Sequence, residues 1–158
     1  MAETDEKFMR RAIELAQKGI DATAGGPFGC VVVKNGEIVG EGVNKVTSTN
    51  DPTAHAEIVA IRAACNSLNS FQLDGCSIYT SCEPCPMCLG AIYWARPEKI
   101  FFACTRDDAA TVGFDDELIY RELALPNEKR TRAMINLLRD EGLTLFEAWT
   151  AKTDKVKY

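Results

Sequence analysis

CVVVKNGEIVGEGV, residues 30–43, reads as two β-rich runs on either side of Asn35-Gly36. Asn-Gly suits a two-residue hairpin, because both central positions of that turn take positive φ. Residues 30–34 and 37–43 are therefore expected to pair as antiparallel strands. Upstream, Phe8, Met9, Ala12, Ile13, Ala16 and Ile20 recur at helical spacing, which predicts an amphipathic helix over about residues 5–21, ended by Gly25-Gly26-Pro27. Downstream, Thr53 is expected to cap a helix over 54–64, with Pro52 ahead of it blocking extension backwards. A short strand follows at 77–80, a helix at 86–95 with Pro86 at its first position, and a strand at 99–104. The order strand, strand, helix, strand, helix, strand mixes a hairpin with crossovers that favour parallel neighbours. It predicts an α/β fold with a mixed sheet covered by helices on both faces. Beyond residue 105 the pattern is less periodic: charged, partly helical segments over 106–141 and a final helix over 145–156.

The chain has 158 residues, of which 46% are hydrophobic, a length suited to one domain over 1–158 with a single core. Lys and Arg number 18 against 23 Asp and Glu, a formal charge of −5. That sign disfavours holding a phosphate backbone by counterion release, so a long nucleic acid is an unfavoured partner. Residues 1–18 are polar, without the apolar run of a signal peptide, and no stretch reaches the ~20 apolar residues of a membrane span. The seven cysteines, an odd number, cannot all pair internally, and a reducing cytoplasm fits them better. Cys30, Cys65, Cys76 and Cys104 stand singly in apolar surroundings and are assigned to packing.

The chemistry concentrates in His55-Ala56-Glu57 and in Pro84-Cys85-Pro86-Met87-Cys88, each at the start of an expected helix. There the unpaired backbone N–H groups and the positive end of the helix dipole favour thiolate, the form that binds metal. Cys85 and Cys88 are three apart and share a face. Two thiolates and a neutral imidazole give Zn²⁺ three protein ligands and leave the fourth tetrahedral position for a water or hydroxide, which is what a catalytic zinc site needs. Glu57, two residues from His55, is poorly placed to join the coordination but well placed to move that water's proton.

Plainer readings exist for each. A single histidine is usually a structural or surface residue, but His55 is the chain's one histidine, and a glutamate and a cysteine cluster accompany it. The run Cys82, Cys85, Cys88 invites an iron-sulfur cluster, yet that pattern wants a further cysteine where Ile92 stands. A closed structural site with Cys82 as fourth ligand is a stronger alternative, and it would make the chain a zinc-stabilised binding module; it leaves Glu57 without a purpose.

His-Ala-Glu followed by Pro-Cys-x-x-Cys is the signature of the zinc nucleobase deaminases. Together with Gly25-Gly26-Pro27-Phe28-Gly29, residues 50–57, Ser81 to Cys88 and Gly113-Phe114-Asp115-Asp116, the chain resembles the bacterial guanine deaminases of the cytidine/deoxycytidylate deaminase superfamily. The resemblance implies a cytidine deaminase-like αβα sandwich with about five strands. It also implies a cytoplasmic homodimer, with the segment at about 145–158 swapped onto the partner, and one Zn²⁺ per subunit. The implied reaction is the hydrolysis of guanine to xanthine and ammonia, with zinc hydroxide adding to C2 of the purine and Glu57 protonating N3 and then the amine.

The implied substrate contacts are Asn44, Phe28, Ala56, Trp94, Asp116 and Tyr158. Asp116 would be a second proton shuttle and Tyr158 a lid. For Trp94 core packing is the equal alternative, and for the two aspartates a solvated acidic loop; chemistry alone does not choose between Asp115 and Asp116. Deamination of tRNA adenosine, cytosine or a nucleoside uses the same metal motif, since pocket shape sets the substrate.

Overall fold

A computed structural model describes residues 3–158; Met1 and Ala2, which open the polar N-terminal stretch, lie outside it. The chain divides into two compact units, one running through Asp116 and one from Glu117 to Tyr158.

The first unit holds helix α1 (Glu3–Asp21), strands β1 (Gly29–Lys34) and β2 (Glu37–Val43), a single turn α2 (Val46–Thr49), helix α3 (Ala56–Leu68), strand β3 (Cys76–Cys82), helix α4 (Pro86–Ala95), strand β4 (Lys99–Cys104) and a short α5 (Arg106–Thr111). Asn35 and Gly36 both have positive φ, 52° and 81°, as the two-residue hairpin between β1 and β2 requires. The sheet has the order β2-β1-β3-β4, with β1 antiparallel to both β2 and β3, and β4 parallel to β3. Four strands are present among the described residues, not about five. After β4 the chain enters α5 because Thr105 caps it: its hydroxyl accepts from the Asp108 amide, while the Asp108 carboxylate accepts from the Thr105 amide.

Helices cover both faces. Alternate residues of β1 sort by face, Val31 and Val33 packing with Phe8 and Leu15 of α1, and Cys30 and Val32 with Ala56, Ala60 and Ala64 of α3 and Ile92 of α4. The small stripe on α3 rides on glycines. A Cβ at Gly42 would lie 2.1 Å from the Ala56 carbonyl oxygen, and one at Gly40 would lie 2.5 Å from that of Ala60. Helix and sheet are thus in backbone contact where the helix begins.

That beginning differs from expectation. Thr53 caps no helix; its amide and hydroxyl both donate to Asp51 Oδ1, at 2.8 and 2.7 Å. This Asx turn holds the chain extended for two more residues, so α3 starts at Ala56 with His55 as its N-cap residue. Cys104, assigned to packing, is exposed because β4 is an edge strand.

The second unit contains α6 (Glu117–Leu123), a 3₁₀ turn (Asn127–Lys129) and α7 (Arg139–Ala151), so the last helix begins and ends before the expected 145–156. Arg130 Nε donates to the carbonyls of Glu122 and Leu125, at 2.9 and 3.1 Å, which holds the turn after α6. No helix of the described residues is long and apolar enough to cross a membrane.

The glycine contact can be tested by substitution. Gly42→Ala forces its methyl against the Ala56 carbonyl and is expected to cost about 1–3 kcal/mol in denaturant unfolding, the usual range for overpacking. Gly90→Ala, on an open face of α4 with nothing within 4 Å, is expected to be neutral or to gain up to about 1 kcal/mol.

Candidate metal centre

Both β2 and β3 run against β1, so they run in the same direction, and the helices that follow them begin at one end of the sheet. Helix α3 therefore presents His55 and helix α4 presents Cys85 at the same place, each as the extended N-cap residue of its helix. An N-cap side chain leaves the helix at its end, and here two of them meet. His55 Nδ1 lies 3.5 Å from Cys85 Sγ and 3.5 Å from Cys88 Sγ. Tetrahedral zinc with bonds of about 2.0 Å to nitrogen and about 2.3 Å to sulfur separates those atoms by about 3.5 Å. The three ligand atoms lie within 4.8 Å of one another, and Cys82 is not among them. The residues fit a zinc ion as three ligands with one position left over.

Charge favours the same assignment. The Cys85 thiol is brought down to about 4, first by the Cys88 thiol donating to it and then by the His55 imidazole, against the opposing effect of burial. Cys88 is pushed up, first because its thiol donates to the Cys85 sulfur, then because it is buried and lies near the Glu57 and Cys85 charges. Cys82 is pushed up to about 11 by burial and by the neighbouring Cys104 and Glu57, so it stays a thiol.

Glu57 follows on the first turn of α3, only 6% exposed. Burial raises its carboxyl above the ordinary range, and the Cys85 thiolate adds to the shift. It accepts from its own backbone amide and from Cys88, which places it against the metal ligands without making it one.

Asn44, Ala56 and Phe28 reach the same end of the sheet. Asn44 follows β2 directly and is 5% exposed. Its Oδ1 accepts the amides of Gly26 and Val46, both at 3.2 Å, so the carboxamide is turned with Nδ2 as its free donor. The amide of Lys45 donates to the carbonyl of Ala54, at 2.9 Å, which ties the Asn44 turn to the residue before His55. Ala56 is fully buried, its methyl in the core, so it has only backbone to offer. Phe28 is half-buried ahead of β1, edge-on to Phe114 with ring centroids 4.9 Å apart. Asp116 is half-buried and Asp115 exposed; the Asp116 carboxyl is raised by burial and then by the Cys85 charge, which brings it within electrostatic reach of the cluster. Trp94 is 65% exposed on α4, so it is not a core residue. Tyr158 lies in the second unit, 71% exposed.

Three residues that the sequence motifs include, but to which no positioning role is given from sequence, acquire one in the structure. A Cβ at Gly25 would lie 2.2 Å from Asn44 Oδ1, so only glycine leaves that amide its orientation. Glu83 accepts the Arg106 amide at 3.1 Å and donates its own amide to the Cys104 carbonyl at 2.8 Å, joining the metal loop to the start of α5. Phe114 carries the ring that meets Phe28. The adjoining motifs Gly-Gly-Pro-Phe and Cys-Glu-Pro-Cys were the available signal.

A mixed α/β sheet with His, Cys and Cys presented from two helix starts defines a zinc-binding deaminase architecture. The chain belongs to the cytidine and deoxycytidylate deaminase family, whose zinc-binding region it matches over residues 2–104. It is 54% identical to guanine deaminase of Bacillus subtilis over 153 residues, 97% of this chain and 98% of that one. The crystal structure of guanine deaminase from that organism superposes with a TM-score of 0.95 at 53% identity, covering 100% of this chain and 99% of the other. A tRNA-specific adenosine deaminase of Aquifex aeolicus is 41% identical over 98 residues, 62% of this chain and 64% of that one.

Zinc must displace protons from its thiol ligands, so its affinity is expected to rise with pH, about tenfold per unit for each proton released. Competition with a chromophoric chelator at pH 6, 7 and 8 measures this. Cys85→Ala and Cys88→Ala are expected to lose the metal and Cys82→Ala to keep it; equal loss in Cys82→Ala would mean a closed four-ligand structural site.

Proposed function

We propose that this chain hydrolyses guanine to xanthine and ammonia, as a cytoplasmic enzyme of purine catabolism or salvage. The observation that carries the reading is the extent of the likeness to a guanine deaminase, which runs over 97% of the chain, whereas the Aquifex tRNA deaminase is matched over 62%. The formal charge of −5 supports a small base over a structured RNA.

His55, through Nδ1, Cys85 and Cys88 would hold one zinc per subunit, and the ion would supply the Lewis acidity that makes a water nucleophilic at about neutral pH. Glu57 takes the proton of the attacking water and returns it, first to N3 of the ring as C2 becomes tetrahedral and then to the departing amine. Its buried carboxyl, raised above the ordinary range, suits a group that must both accept and give a proton. Nδ2 of Asn44 donates to an acceptor on the purine edge, and the Ala56 amide, free at the first turn of α3, offers a second donor. Phe28 packs on the ring face, with Trp94 as a further aromatic wall. Asp116 accepts from the guanine N1–H and amine edge, the donors that distinguish guanine from adenine, and serves as a second proton shuttle.

The working form is a homodimer with the C-terminal segment, about 145–158, exchanged between subunits, so that Tyr158 closes the partner's site and excludes water. The surface supports this reading: α7 buries no residue and leaves Phe146 70% exposed, an arrangement that calls for a covering partner.

Glu57→Gln is expected to keep its zinc and lose about 10²–10⁴ in kcat, the usual worth of a general acid-base group, measured as ammonia release from guanine. Turnover close to wild type at full metal occupancy would remove Glu57 from the mechanism. Asp116→Asn is expected to cut guanine turnover sharply with fold and zinc kept, and Asp115→Asn less. Removing Lys157 and Tyr158 should weaken activity while light scattering still reports a dimer. If Asp116→Asn deaminates guanine normally, the purine-edge assignment is wrong and cytosine or a nucleoside is the better substrate.

A further inference from the structure

The metal uses Cys85 and Cys88 but not Cys82, although Cys82 lies only three residues before Cys85. Its neighbour across the sheet is another cysteine: Cys82 of β3 and Cys104 of β4 are register partners in a parallel pair. Adjacent strands run about 4.8 Å apart, inside the roughly 4.4–6.8 Å between Cα atoms that a disulfide spans, and directly paired residues point to the same face. The thiols are close enough to influence one another electrostatically. At present the Cys82 Sγ donates to the Thr105 carbonyl at 3.5 Å, and Cys104 is free.

The two differ in access. Among the described residues Cys104 is the one exposed cysteine, while Cys82 is buried. A solvent-borne oxidant therefore meets Cys104 first and finds its resolving partner already in place. Cys65 and Cys76 also sense each other, but one is half-buried and the other buried, and neither offers the exposed first thiol.

We propose that Cys82 and Cys104 form an oxidation site that closes to an intramolecular disulfide with a hydroperoxide and leaves the zinc ligands untouched. The Cys104 thiolate attacks one peroxide oxygen; the O–O bond breaks, a hydroxide leaves and takes up a proton as water, and the sulfur becomes a sulfenic acid. The Cys82 thiol gives up its proton and attacks that sulfur; an S–S bond forms, the S–O bond breaks, and a second water leaves. Two thiols lose one electron each and the peroxide gains both. The edge position of β4 lets it adjust to the bridge without disturbing a strand beyond it. The bond withdraws the Cys82 donor from Thr105, the residue that caps α5 on the path to Asp116.

The test treats zinc-loaded protein with hydrogen peroxide in small molar excess, then maps peptides without reduction while a chromophoric chelator reports released zinc. The expected result is a loss of two hydrogen atoms, a Cys82–Cys104 cross-link reversed by dithiothreitol, and retained zinc. The cross-link is expected to vanish in both Cys82→Ser and Cys104→Ser. A Cys85–Cys88 bridge with zinc release, a bridge between two chains, over-oxidised Cys104 without a bridge, or no reaction would each overturn it. None of these readouts uses the substrate, so the result stands apart from the deaminase reading.

Discussion

The closest constraint in the molecule is the backbone contact between β2 and α3. Gly42 and Gly40 allow the carbonyls of Ala56 and Ala60 to sit where any side chain would stand, and the alanine stripe on α3 keeps the helix at that distance along its length. A helix that lies on a strand through glycines is fixed in height and in rotation, because a shift of one residue brings a larger side chain into the gap. His55 and Glu57 bracket Ala56, so the coordinates of the imidazole and of the carboxylate descend from a packing contact that contains no functional group. The geometry demanded at a metal, a few tenths of an ångström, is supplied by close packing at the residue between the two functional side chains.

Strand direction does the rest. With β1 reversed against both β2 and β3, the ends of β2 and β3 and the beginning of β1 share one edge of the sheet, and β4, parallel to β3, ends there too. Asn44, His55, Cys85, the loop ahead of Phe28 and the chain toward Asp116 all depart from that edge. It is also where the positive ends of α3 and α4 stand, and thiolate charge is best tolerated there. Like charge limits the arrangement: one of the two thiols is lowered and the other raised, so the ligand set is completed only when a cation balances it.

Much of this was legible beforehand. The Asn35-Gly36 hairpin, Pro86 at the start of α4 and the His-Ala-Glu and Pro-Cys-x-x-Cys pair are local signals, each decided by a few adjacent residues. What escaped was decided at a distance. Thr53 has good capping chemistry, but Asp51 offers it a nearer acceptor and the helix starts two residues late. Cys104 sits in an apolar run, yet its strand is the last of the sheet and nothing in the sequence numbers the strands. The segment after residue 105 has apolar residues that α6 and α7 leave unburied, so a pattern meant to find a helix by its buried stripe had little to work with.

Substrate choice must then lie outside the metal cluster. The chain is similar both to a relative named for guanine and to one named for tRNA adenosine, so likeness of this kind does not by itself fix the base. Asn44 is different in kind. Its oxygen is occupied by two backbone amides, an orientation for which only glycine at position 25 leaves room, and this turns the donor outward and keeps the acceptor engaged. Under the proposed contact, a ring held against Nδ2 would have to bring an acceptor to it, and one that brought a hydrogen there instead would oppose two donors, at a cost of about 1–3 kcal/mol for each group left unsatisfied away from water. In the proposed role Asp116 would impose the opposite demand at binding, since the ionised form of its carboxyl accepts and donates nothing until it has taken up a proton. Under the proposed contacts, a base that satisfies both would carry an acceptor edge next to a donor edge, and guanine, with N7 and O6 on one and N1–H and its amine on the other, would meet both demands at once.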